Sequence, residues 1–186
     1  MTSRHRFAGI IVPLSVVVLL VVVATPALED MEASDRAWEI VQLAQRVEVA
    51  ARRFTADVGY PPCERSAGSA ADEFMEPRYH ELSVRQSIKG WRGPYLDQML
   101  SMADNPFGGD AILHRNLDAP PASGFSVASE DLGHGPGSYL TLTGVPLEVA
   151  QLVDEYLDGK GEEAWKTKGR VEWTPRECAL SILLGR

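Results

Sequence analysis

Residues 7–28 read FAGIIVPLSVVVLLVVVATPAL and carry no charge, and residues 29–58 then continue EDMEASDRAWEIVQLAQRVEVAARRFTADV. About 20 apolar residues at 1.5 Å per residue cross a bilayer core, so residues 7–28 have the length of a transmembrane helix. Beyond them, Ile40, Leu43, Ala44, Val47, Ala51, Phe54 and Val58 recur at steps of three and four. Glu39, Gln42, Gln45, Arg46, Arg52, Arg53 and Asp57 fall mainly between. That period gives an amphipathic helix with one buried face. If both stretches form one helix, it is about 75–80 Å long, with Pro13 and Pro26 as its expected bends. Gly59-Tyr60-Pro61-Pro62-Cys63 ends it.

Working outward, the expected division is a basic cytoplasmic stretch at residues 1–6, a transmembrane half-helix at 7–28 and an exported domain at 29–186. Arg4-His5-Arg6 precedes the apolar run, and positive charge there favours a cytoplasmic N-terminus. A cleaved signal peptide has a similar start, but usually a shorter apolar core. The remaining chain suits one domain. A net charge of −8 and a pI near 5.0 argue against nucleic acid as a partner, since that needs a basic face. The two cysteines, Cys63 and Cys178, are an even pair in a chain read as exported, which points to a disulfide.

Residues 63–81 read as a loop with short helical turns, and 81–88 as a further turn or short helix. Gly90-Trp91-Arg92-Gly93-Pro94-Tyr95-Leu96 and Asp104-Asn105-Pro106-Phe107-Gly108-Gly109-Asp110 mark tight turns with aromatics packed beside them. Strands are expected at 111–115, 125–128, 138–143 and 169–174, with 178–184 a final strand or packed tail. Residues 146–157 (PLEVAQLVDEYL) give a helix with Val149, Leu152, Val153 and Tyr156 on one face. The fold class is therefore α+β: one long helix, transmembrane then amphipathic, packed on a small antiparallel sheet.

Several of these motifs together resemble the type IV pilin-like family, in particular the pseudopilins of type II secretion systems. The likeness covers most of the chain as layout. Its motifs are residues 51–62 (ARRFTADVGYPP), then Gly93-Pro94-Tyr95-Leu96 followed by Asn105-Pro106-Phe107-Gly108-Gly109, similar to the family's Gly-Pro-Tyr-Leu and Asp-Pro-Trp-Gly elements. Leu142 to Pro146 and Gly169-Arg170-Val171 are weaker matches. The N-terminus departs from the pattern: Arg6 precedes Phe7 where the family has glycine, and Ile11 stands where it has glutamate.

The resemblance implies a structural subunit held in the bacterial inner membrane with its head in the periplasm. Its partners would be other pilin-like subunits, secretion-machine components and lipid, in a self- or hetero-oligomer. The alternative is an anchored or exported periplasmic binding module with no filament role. The resemblance also raises calcium late in the head. Ser129-Glu130-Asp131, or Asp154, Asp158, Glu162 and Glu163, could supply oxygens. Neither stretch has EF-hand spacing, and no metal ligand is assigned.

His5, His80, His114 and His134 show no metal-site spacing, and no nucleophile or nucleotide-binding motif is present. No catalytic or cofactor-binding residue is assigned, and the expectation is a protein that is not an enzyme. Trp91, Tyr95 and Phe107 are expected to pack onto the helix, and Trp165 and Trp173 to be core residues. Met31, Trp38, Val41 and Phe54 are expected to divide between subunit contacts and the chain's own sheet.

Overall fold

A computed structural model describes residues 5–66, 76–116, 137–159 and 169–184; of residues 5–29, 116 and 137 it describes the backbone alone. The chain separates into two units, Met1–Asp35 and Arg36–Arg186. Helix α1 spans His5–Val58 and passes through Pro13 and Pro26. Its backbone is therefore helical across the whole stretch for which the sequence predicts a helix. Among the described residues no helix is long and apolar enough to cross a membrane. The side chains of the apolar run at 7–28 lie outside the described residues.

In the second unit the remaining elements are β1 (Ala111–Asn116), β2 (Gly137–Leu142), α2 (Leu147–Asp158), β3 (Val171–Thr174) and β4 (Ala179–Leu184). Short 3-10 turns occupy Pro77–Tyr79 and Met102–Asp104. The strands form one four-stranded antiparallel sheet in the order β1-β2-β4-β3. The class is α+β, as the sequence implies. Four of the predicted strands form, with boundaries shifted by one or two residues; the one expected at 125–128 lies outside the described residues.

The core follows from the two periodicities. Ala37, Ile40, Val41, Leu43, Ala44, Val47, Ala50, Ala51 and Phe54 are buried on α1, the stripe that a 3.6-residue repeat lays along one face. On the sheet, Ala111 and Leu113 of β1, Leu140 and Leu142 of β2, and Leu180, Ile182 and Leu184 of β4 are buried at alternate positions. Their alternation puts them on one face of the pleat. β4 is buried at every position, as befits an inner strand covered on both sides.

Helix α2 starts directly after Pro146, whose φ of −63° is already suitable for a helix start. It ends at Gly159, with φ 87°. Val149, Ala150 and Val153 are buried, and the helix packs on β3. The predicted face is corrected at one position: Tyr156 is exposed.

The disulfide expected between Cys63 and Cys178 does not form; both thiols are free. The topology explains why. Glu64 pairs with Leu113 outside the free edge of β1, while Cys178 leads into β4. Three strand spacings, about 14 Å, separate those lines, whereas a disulfide needs its Cα atoms within about 7 Å.

Candidate interaction surface and the loops that shape it

The C-terminal end of α1's buried stripe is fastened by the first Gly/Pro/aromatic loop. Phe54 meets Tyr60 and Tyr95 edge-on, at 5.5 and 5.6 Å between ring centroids. The Tyr95 hydroxyl donates to Asp57 Oδ2 (2.9 Å) and accepts from the Arg92 N–H (2.9 Å). Trp91 stacks edge-on against Tyr95 and donates its Nε1–H to the Glu81 carbonyl (2.9 Å). The Gly93–Pro94 peptide is cis. Gly90, at φ +92°, lies so close to the helix end that a Cβ would strike the Asp57 carbonyl; only glycine combines that φ with that approach.

The second loop is tied to the end of β2. Buried Asn105 donates from Nδ2 to the carbonyls of Thr143 (2.8 Å) and Asp110 (3.3 Å), and its Oδ1 accepts from the Phe107 N–H (3.0 Å). The Asp110 N–H donates to Thr143 Oγ1 (2.8 Å). Phe107 packs under the Arg36 guanidinium of α1, 5.1 Å from its ring centroid. Trp91, Tyr95 and Phe107 are therefore structural anchors of the loops, as expected. Trp173 donates its Nε1–H to the Val145 carbonyl (2.8 Å). Trp165 lies outside the described residues.

Between the helix exit and β1 lies a polar junction that periodicity does not foretell. Glu64 is completely buried. Its Oε1 accepts from Ser83 Oγ (2.6 Å) and lies 3.2 Å from His80 Nδ1, and its Oε2 accepts from the Leu82 N–H (2.9 Å). Burial pushes its carboxyl pKa upward, while these hydrogen bonds and His80 pull it back. Beside it, Glu81 accepts from the Cys63 N–H (2.8 Å) and pairs with Arg115, whose Nε–H donates to the Pro61 carbonyl (2.6 Å). The Arg115 guanidinium also covers the Tyr60 ring, 4.6 Å from its centroid.

Burial first, and then the Glu81 charge, push the Cys63 thiol up to about 12. It stays protonated at neutral pH and is a poor nucleophile. His114 stacks on Tyr139 at 4.6 Å; burial, with a smaller push from Arg65, lowers its pKa to about 4. The side chain of His5, and all of His134, lie outside the described residues.

Of the candidate calcium ligands, Ser129, Glu130, Asp131, Glu162 and Glu163 lie outside the described residues. Asp158 Oδ2 accepts the Arg170 N–H (2.5 Å). Burial, then the Asp158 charge, raise Asp154 to about 6. The Arg170 side chain donates to Glu48 Oε2 (3.0 Å) and to the Leu183 carbonyl (3.1 Å). Among the described residues no group of three or more His, Cys, Asp or Glu is placed to hold a metal ion.

Outside the core, α1 presents Gln42, Gln45, Arg46, Val49 and Arg53 to a trough of about 430 Å³. Residues 95–97 form its opposite wall. Val49 in that stripe is 51% exposed, and Arg46 pairs with Asp104 at 2.6 Å. Of the four side chains expected to divide between subunit contacts and the chain's own sheet, Val41 and Phe54 are buried, and Met31 and Trp38 are exposed. No protein-family model matches this chain, and neither a curated protein nor a solved structure does.

Proposed function

We propose that this chain is a pilin-like structural subunit of a type II secretion or type IV pilus-like machine. In this reading the apolar run at 7–28 anchors it in the bacterial inner membrane, and the remainder forms a periplasmic head. The observation that carries the reading is the seating of one buried stripe of α1, Ala37 to Phe54, in a core shared with a four-stranded antiparallel sheet. Two Gly/Pro/aromatic loops fasten that assembly at the helix end and at the end of β2. A helix with an apolar first half can exchange lipid for neighbouring helices when subunits are drawn into a filament. The subunit itself then performs no chemistry.

The test is deletion of residues 1–28. The shortened chain should stay folded and monomeric and be lost from membranes and from any assembly. A shortened chain that still assembles like the parent would overturn the reading. The trough beside Val49 favours the second reading, an anchored or exported binding module without a filament role. In that case the full chain stays monomeric in membranes under every assembly condition.

A further inference from the structure

The segment that folds back on the end of α1 uses its polar groups inward and leaves its cations outside. Residues 82–96 read LSVRQSIKGWRGPYL and hold Arg85, Lys89 and Arg92 but no Asp or Glu, in a chain of net charge −8. Gln86 shares its side-chain amide among the carbonyls of Pro77 (2.6 Å), His80 (3.1 Å) and Val84 (3.0 Å). The Val84 N–H donates to the His80 carbonyl (2.9 Å), and the Trp91 N–H to that of Ile88 (3.2 Å). With the backbone tied in this way, Arg85, Lys89 and Arg92 all stand exposed. Among the described residues the side chains of Arg85 and Lys89 have no hydrogen-bond or ion-pair partner. Arg92 is 3.9 Å from Asp57, with 82% of its side chain exposed. Folding gains little from solvated charges of this kind.

This cationic turn runs into the trough beside Val49. Tyr95 belongs to both: it lines the trough, and its hydroxyl accepts from the Arg92 N–H. Arg53 lines the trough from α1, and its side chain too is without a partner among the described residues. A second hollow of about 210 Å³ continues past Arg46 and Leu96 to Met99. An apolar floor with unpaired cations at one end suits a segment that brings carboxylates to the cations and an apolar side chain to Val49. Asp97, the carboxylate in the trough's lining, repels an unbroken acidic run, so apolar or amide residues must interrupt it. Nucleic acid and anionic lipid bind through many phosphates and need a wider basic face than one turn. A second copy on a two-fold axis through the turn would set these cations against their own kind.

The geometry points to a docking groove for an acidic segment of a partner protein, its carboxylates met by Arg53, Lys89 and Arg92 and its apolar anchor by Val49. This assignment rests on neither reading of the chain's function. It is tested on the full-length chain in neutral-detergent micelles. The probes are a fluorescein-labelled peptide repeating Glu-Glu-Leu and its Gln-Gln-Leu counterpart, read by fluorescence anisotropy.

The Glu-Glu-Leu peptide should bind saturably, and more weakly as salt rises from about 50 to 300 mM. Arg53→Gln with Lys89→Gln should weaken it about tenfold, and Val49→Ser about threefold. All three positions are exposed, so the urea midpoint should stay where it is. Arg176→Gln removes an exposed cation from the turn between β3 and β4 and should leave affinity unchanged. Absence of saturable binding would overturn the proposal, as would equal binding of the Gln-Gln-Leu peptide. Undiminished affinity in Val49→Ser, or an equal loss in Arg176→Gln, would reduce the effect to bulk charge and overturn it as well. Tighter binding of labelled single-stranded DNA, or displacement of the peptide by phosphatidylglycerol doped into the micelles, would instead assign the cations to phosphate. Self-association of the full chain that the Arg53→Gln, Lys89→Gln variant relieves would overturn it by assigning the groove to a second copy.

Discussion

Between Ala37 and Phe54, α1 is held by carbon: nine buried side chains, all apolar. Just past the helix end, Glu64, His80 and Glu81 are also buried, yet they are held by directed hydrogen bonds and one ion pair. The first region depends on volume and tolerates changes of shape that preserve it. The second depends on matching donors to acceptors, and removing one partner leaves the others buried and unsatisfied. One fold therefore has two neighbouring regions that should fail in different ways.

The largest effects should come from breaking each region in its own terms. Phe54→Ala empties a site closed by Tyr60 and Tyr95 and should cost about 3–5 kcal/mol, with Phe54→Leu costing far less. Glu64→Ala should cost a similar 3–5 kcal/mol or so. Glu64→Gln keeps an acceptor oxygen and should recover about half of that. Urea unfolding of the four variants separates the cases. Equal losses for Glu64→Gln and Glu64→Ala would show that charge, rather than acceptor geometry, holds the junction.

Gly90→Ala should come next, at about 2 kcal/mol or more. It sets a Cβ against the Asp57 carbonyl at a backbone φ of +92°, and hydrogen exchange should rise first around the end of α1. Gly59, also at positive φ, has open space around it, so Gly59→Ala should cost less.

Acidification sharpens the contrast further. His114 has its pKa lowered to about 4, below its unfolded value, so the unfolded chain binds the proton more readily between about pH 6.5 and 4. Stability should fall through that window as pH drops, by about 1–2 kcal/mol at pH 5. His114→Gln should remove that part of the slope.

Asp154 acts in the opposite direction and more weakly. Its pKa is raised to about 6, so its stabilising share is fully present below about pH 3.8 and is lost as pH rises through 6. Asp154→Asn should therefore stabilise at pH 7 and not at pH 3.5, by less than about 1 kcal/mol because the group is only partly buried and water screens its charge.

The same contrast explains what could be read in the sequence. The stripe on α1 is legible because Ile40, Leu43, Ala44, Val47, Ala51 and Phe54 follow the helical repeat. Strands such as AILHRN and SYLTL are legible from their composition and flanking turns. The two aromatic loops were legible from their glycines and prolines. The junction was not: Glu64 and His80 lie 16 residues apart in chain, with no period in the sequence to mark them as partners. Trp38 was only half legible. It stands one residue off the buried line of Ala37, Ile40 and Val41, but nothing in the sequence sets Tyr156 beside it. The cysteine pair misled because parity says nothing about which strands lie between two thiols.

The central claim, that the apolar half of α1 is an assembly element, is tested most directly by cysteine crosslinking in native membranes. Single cysteines are introduced at Val16, Leu19 and Val23 in a chain whose Cys63 and Cys178 are replaced by serine. The account predicts adducts with a second copy or with other small pilin-like chains, recurring at helical spacing along the segment. A chain that stays uncrosslinked at all three positions, in membranes and under assembly conditions alike, would contradict it.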